Sequence, residues 1–203
     1  MKLTKVLALI AVVALAVPLA NAADTKHKFS FGVGYFMPMS DYSFTEDTYT
    51  ITMATDDALG FGLGYEFYYN EMVSFGASLW YADHDMTLSV SGEPDSDYGS
   101  VAWMPILFDA NFHLLKGKPV DFYFGPTLGY AMFDDWKYGD LSQTMKDQFV
   151  YGVNLGLDVP FAESWAFTAG LRYLLLDAEP DVTGADAVGV DPLVLTVGVG
   201  YKF

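Results

Sequence analysis

Residues 191–203 read Asp-Pro-Leu-Val-Leu-Thr-Val-Gly-Val-Gly-Tyr-Lys-Phe, an alternation that runs unbroken to the last residue. Leu193, Leu195, Val197, Val199, Tyr201 and Phe203 share one face, and Val194, Thr196, Gly198, Gly200 and Lys202 share the other. A side-chain period of two is a β-strand. One face is apolar and ends in two aromatics while the other is small or polar, as expected where a strand has lipid on one side and a narrow lumen on the other. An edge strand of a soluble sandwich would show the same alternation, so the rest of the chain has to decide.

Composition narrows the choice. Of the 203 residues, 52% are hydrophobic and 17% aromatic. Beyond residue 20, however, no run approaches the roughly 18 apolar residues of a membrane-spanning helix. A soluble all-β core or a membrane barrel remains. At the N-terminus Lys2 and Lys5 form a positive start, 6–19 an apolar stretch and Ala20-Asn21-Ala22 a cleavage site, so 1–22 reads as a signal peptide and 23–203 as one exported domain. Cleavage removes two of the 10 basic residues and none of the 26 acids, taking the formal charge from −16 to −18. Nucleic acid is excluded as a partner, because phosphate binding needs a basic surface. Cysteine is absent, which rules out a disulfide framework, a zinc ribbon and a thiol nucleophile.

Alternation recurs over 28–39, 58–69, 73–86, 99–115, 120–133, 148–159 and 165–177. The connections alternate as well. Acid-rich stretches at 40–57, 87–98, 134–147 and 178–189 are long, whereas Asn70-Glu71, 116–119 and 160–164 are short. With strands of about 11 to 15 residues, this is the asymmetry of outer-membrane barrels, long loops outward and both termini beside the short periplasmic turns. Closure follows because lipid offers nothing to satisfy an open edge. The predicted fold is all-β, an eight-stranded antiparallel transmembrane β-barrel set among the lipid and lipopolysaccharide of a Gram-negative outer membrane. Tyr69, Tyr130, Trp165, Tyr201 and Phe203 would lie in its aromatic girdles. Eight strands leave a bore just wide enough for side chains or one slim ligand.

Three stretches resemble the OmpW family of small outer-membrane barrels: Met104-Pro105-Ile106-Leu107-Phe108-Asp109-Ala110-Asn111-Phe112-His113, the strand at 120–133, and the ending from Val190-Asp191-Pro192 to Tyr201-Lys202-Phe203. The resemblance implies a narrow channel or binder for small hydrophobic molecules, with lateral release into the membrane. It also assigns Tyr201 and Phe203 to the signal read by the barrel-assembly machinery. The sequence departs from the family pattern at Pro105, one proline where two are frequent, at Asp109, and at Val120-Asp121 in place of Arg-Pro. A rival reading is a structural or adhesive barrel that acts through its acidic extracellular loops.

Enzymatic chemistry finds little support. Asp83-His84-Asp85 reads as a solvated strand end, since metal sites need three or more converging ligands. A Ser–His–acid hydrolase would need serine and histidine on one strand face near the membrane edge, and only His113 lies inside a strand, pointing inward. Gly32-x-Gly34, Gly60-x-Gly62-x-Gly64 and Gly198-x-Gly200 have no helix after them, so they make room in a lumen rather than cradle phosphate. No cofactor, metal or catalytic residue is expected. Strand parity places Glu66, Asp109, His113, Asp121, Asp158, Arg172 and Lys202 inside, and ions within a membrane span are tolerated when paired. The expected lumen is an apolar pocket of Phe36, Trp80, Trp103, Leu107 and Leu174 toward the loops, closed beneath by Arg172 with Asp109 and Glu66. Pro105 and Pro126 cannot donate to a ladder and would weaken one lateral seam.

Overall fold

The computed structural model describes residues 26–46, 49–114, 119–182 and 188–203; the expected signal peptide at 1–22 lies outside the described residues. The barrel strands in chain order are β1 His27–Met37, β2 Ala58–Tyr68, β3 Val73–Val90, β4 Ser96–His113, β5 Asp121–Phe133, β6 Gln148–Pro160, β7 Trp165–Leu175 and β8 Leu193–Lys202. Each pairs antiparallel with the next, and β8 returns to β1 in register from Lys28↔Lys202 to Met37↔Leu193. The ring therefore has no edge, which is the condition for strands to sit in hydrocarbon.

Burial runs opposite to that of a soluble domain. On the outer wall Leu59 is 74%, Leu128 64% and Val197 60% exposed, while Lys28, Glu66, His113 and Asp158 are buried inside. An apolar band of this extent faces lipid. Aromatic rings gather at the ends of the wall: Trp165 against Tyr201 with centroids 5.0 Å apart at one end, Tyr130 against Phe149 at 5.4 Å at the other.

The last residue helps to close the ring. The His27 amide donates to the Phe203 carbonyl at 3.1 Å and the Phe203 amide to the His27 carbonyl at 2.9 Å. The Phe203 ring also stacks on His27. Deleting Phe203 removes both bonds, each worth about 0.5–1.5 kcal/mol. The deletion should lower the temperature at which the unboiled, compact gel band converts to the unfolded one; an unchanged transition would mean that closure does not depend on the terminal pair.

The stretch at 87–98, expected as a loop, is largely strand. β3 and β4 run on as an 18-residue hairpin arm each, with Thr87↔Asp97 and Leu88↔Ser96 paired above a bulge at Asp85/Thr87. Thr87-Leu88-Ser89-Val90 keeps the alternation, but the polar 91–97 that follows hides it, although the ladder continues. Gly92 turns the hairpin at φ +88°, a left-handed conformation that glycine adopts without steric cost. The segment at 40–57 is likewise a hairpin, Tyr42–Glu46 with Tyr49–Thr55, whose second arm adds to β3 from Ile51↔Val90 to Thr55↔Met86. Met145–Lys146, Asp177–Pro180 and Val188–Gly189 form a small separate sheet.

The two prolines do not share a seam. β3–β4 pairing lapses between Leu79↔Ile106 and Ala82↔Trp103, opposite Pro105. β4–β5 pairing lapses between Asp109↔Thr127 and Phe112↔Phe124, opposite Pro126. Each gap keeps the register on both sides, so the two missing donors interrupt opposite flanks of β4 at different heights. The single weakened seam expected from the sequence is therefore corrected to two separate interruptions.

Candidate functional site

The lumen is built from the inward residues of all eight strands and is layered from the periplasmic end upward. Lowest is a buried ionic layer. Lys28 and Glu66 lie directly opposite each other on β1 and β2, and Lys28 Nζ sits 2.6 Å from Glu66 Oε2 and 2.9 Å from Asp158 Oδ2. Lys202 approaches Asp158 at 3.5 Å. Asp121 and Asp158 face each other across β5 and β6, a pairing of like charges that would be repulsive alone. Each has its own cation or donor: Asp121 Oδ1 lies 3.0 Å from His113 Nδ1, and Asp158 has the lysines. Tyr123 closes the layer from the side. Its ring fills the space that a side chain on Gly156 would need, and Lys28 Nζ lies 5.2 Å from its centroid.

Within this layer Ser74, His113 and Asp121 stand in the order of an acyl-transfer triad, with Ser74 Oγ 2.8 Å from His113 Nε2. The hydroxyl, however, donates to Glu66 Oε1, which also accepts from Asn111 Nδ2 at 3.0 Å. A triad serine must give its proton to the histidine and present Oγ to a substrate. Ser74 does neither, being fully buried. The three residues tie β3, β4 and β5 together.

Above lies a polar chamber of ≈ 110 Å³ walled by Ser78, Asn111, Asn154, Thr168 and Thr196 among others. Arg172 belongs to this level. Its Nη2 donates to Asp109 Oδ2 at 2.8 Å, and Asp109 Oδ1 accepts from Thr127 Oγ1 at 2.5 Å and Asn154 Nδ2 at 3.3 Å. Arg172 and Asp109 thus meet across the lumen, but Glu66 does not join them. Its nearest cation is the cross-strand Lys28, so the expected single floor of Arg172, Asp109 and Glu66 is instead two tiers. Lys28 has the inward parity of β1 and was absent from the expected lumen set because it stands at the start of its strand.

The third layer is apolar and packed. Phe36, Leu107 and Leu174 are almost completely buried, with Trp103, Val194, Ala82 and Ala131 around them and Trp80 packed against the cluster. The Phe36 ring meets Trp80 at 6.1 Å and Trp103 at 5.7 Å, both edge-on, a favoured aromatic geometry. Trp80 lies flat over Gly62, where any side chain would occupy the indole. Phe36, Trp80, Trp103, Leu107 and Leu174, expected to line a pocket, are brought together, but as a stopper between two spaces.

The pocket itself is higher, a cavity of ≈ 440 Å³. Trp103, His84, Val101 and Phe133 form its lower wall, and the extracellular segments supply Met53, Trp136, Met145 and Pro180 above. His84 is a lining residue, not a solvated strand end. It is 1% exposed and faces inward, while its neighbours Asp83 and Asp85 face out. At the rim the half-buried Lys146–Glu179 pair joins Met145–Lys146 to Asp177–Pro180. A hydrogen bond from Lys146 holds the Glu179 carboxyl below the usual carboxylate range.

The chain matches the family model described as outer membrane protein beta-barrel domain over residues 7–203. No curated protein sequence matches it. Among solved structures it is similar to the outer membrane protein OprG from Pseudomonas aeruginosa, with TM-score 0.71 and 20% identity over 88% of this chain and 95% of that one. Neisserial surface protein A gives TM-score 0.62 and 15% identity, covering 90% and 100%. Outer membrane protein W of E. coli gives 0.53 and 18%, covering 88% and 97%. At these identities the likeness is one of fold, and it is consistent with the OmpW-like resemblance of the sequence.

Proposed function

The chain belongs to the outer membrane protein β-barrel domain family, and from that premise we propose that it captures small hydrophobic molecules from outside the cell and passes them sideways into the membrane. The observation that carries this reading is the ≈ 440 Å³ cavity, lined by Met53, Met86, Val101, Trp103, Phe133 and Met145. Concave, mostly apolar sites with a few polar groups are the usual form of small-molecule sites. Straight passage is blocked below by the Phe36 stopper and then by two ionic tiers, which leaves a lateral exit. The Pro105 gap between β3 and β4 begins one residue pair from Trp103, at the cavity's lower wall. The Pro126 gap is lower, beside the polar chamber. In this reading a signal peptide at 1–22 directs export, and Tyr201 and Phe203 engage the barrel-assembly machinery.

The test is entry of an apolar fluorophore into lipid vesicles carrying the folded barrel. Pro105→Val restores a donor facing β3 and should slow entry several-fold, whereas Pro126→Val should leave it near the parent rate. Entry no faster than in protein-free vesicles would refute the channel and favour the rival, a structural or adhesive barrel working through its acidic loops. Equal slowing by both variants would refute the Pro105 exit alone.

A further inference from the structure

The lower wall of the outer cavity carries two buried polar atoms without a hydrogen-bond partner among the described residues, His84 Nε2 and Trp103 Nε1. Both side chains line the cavity, they are 1% and 3% exposed, and their ring centroids lie 5.7 Å apart. Their chemistry is complementary. His84 Nδ1 lies 2.8 Å from the Asp56 carbonyl oxygen, which can only accept. Nδ1 therefore carries the proton, and Nε2 of the neutral ring is a bare acceptor. The indole nitrogen of Trp103 can only donate. An apolar cavity thus ends in one acceptor and one donor, each costly to leave unpaired in such surroundings.

We infer that the site selects apolar molecules bearing a single hydroxyl group, aliphatic alcohols or phenols, bound with the hydroxyl inward. This deepens the proposed function and rests on it. A hydroxyl gives its proton to His84 Nε2 and accepts from Trp103 Nε1 at once. A hydrocarbon satisfies neither atom. An ester or ketone oxygen satisfies Trp103 only, and a carboxylate would set its charge against the His84 lone pair. Both nitrogens are buried in the unliganded wall, so the hydroxyl reaches them only when the two rings tilt apart. Sites built to bond a substrate hydroxyl discriminate against analogues lacking it, because the site's own polar groups are then left unpaired.

The experiment uses the full barrel in phosphatidylcholine vesicles with 1-octanol and n-nonane, matched in heavy-atom count, and subtracts partitioning into protein-free vesicles. After that correction the barrel should favour octanol by about five- to tenfold, the worth of one or two bonds to otherwise unpaired groups. The ratio should fall toward one in His84→Phe and in Trp103→Phe, each of which keeps an aromatic ring. Octanol, and not nonane, should move the Trp103 indole N–H resonance downfield, with Trp103→Phe identifying that signal. If both probes bind with a ratio near one in parent and variants, hydroxyl selection is overturned while the apolar-channel reading stands. If neither probe binds beyond the protein-free control, both fall together.

Discussion

Lys28→Ala is expected to destabilise the barrel by about 3–5 kcal/mol, the usual consequence of removing one partner of a buried pair. Lys28 is 4% exposed and neutralises two carboxylates, one of which, Asp158, is completely buried. Glu66 would keep hydrogen bonds from Ser74, Asn111 and Tyr68, and Asp158 would keep the more distant Lys202. His113 Nε2 would remain 3.5 Å from Glu66 and Lys202 Nζ 3.5 Å from Asp158, so neither carboxylate would retain a cation as close as Lys28, and Asp121 directly opposite Asp158 adds a repulsion that Lys28 now offsets. Lys28→Met keeps most of the volume and should cost about as much, which separates lost charge from lost packing. Adding Glu66→Gln and Asp158→Asn to Lys28→Met should recover a large part of the loss. Urea unfolding of vesicle-inserted protein reads all three. A loss below about 1 kcal/mol, the range of exposed pairs, would mean that the lower tier does not hold the strands together.

Most of the wall was legible because its signal is local. In β8 and in β5 each residue declares its side by parity, and the contrast between leucine outside and glycine or threonine inside survives along the whole strand. Above the membrane that contrast is cut short. Thr87–Val90 still alternates, with Leu88 and Val90 against Thr87 and Ser89, but it runs straight into the polar 91–97, so the hairpin arm read as loop; His84 read as solvated between two aspartates although parity with Trp80 and Ala82 turns it inward. Which inward residues meet was much less legible. Asp109 and Arg172, expected to close the pocket together, do meet. Glu66, expected beside them, does not: Lys28 stands directly across the β1–β2 ladder, and a cross-strand partner prevails over one that must be reached across the bore. The prolines show the same limit. Their loss of a donor is visible in the sequence, but which neighbour loses the bond depends on which edge of the strand the nitrogen faces, and that is a property of the register.

The layering also assigns separate tasks to the stopper and the ionic tiers, and Phe36→Ala distinguishes them. Phe36 is 1% exposed and touches Trp80, His84 and Trp103, and its ring also comes within 2.7 Å of the position of a Cβ on Gly60. Neighbours backed by wall strands have little freedom to collapse into the space it leaves, so the loss should sit at about 3–5 kcal/mol, as for other buried aromatics cut to alanine. The new space would join the ≈ 440 Å³ outer cavity to the ≈ 110 Å³ chamber beneath. Ion flow should still not appear, because Arg172–Asp109 and then the Lys28–Glu66–Asp158 tier fill the bore below, and a permeating ion would have to displace charges already paired. The expected result is therefore a less stable barrel that remains silent in planar bilayers and admits a bulkier apolar ligand than the parent does. Steady current through folded Phe36→Ala would reverse the assignment: the apolar stopper would then be the barrier to ions, and the ionic tiers would serve only to brace the periplasmic end of the wall.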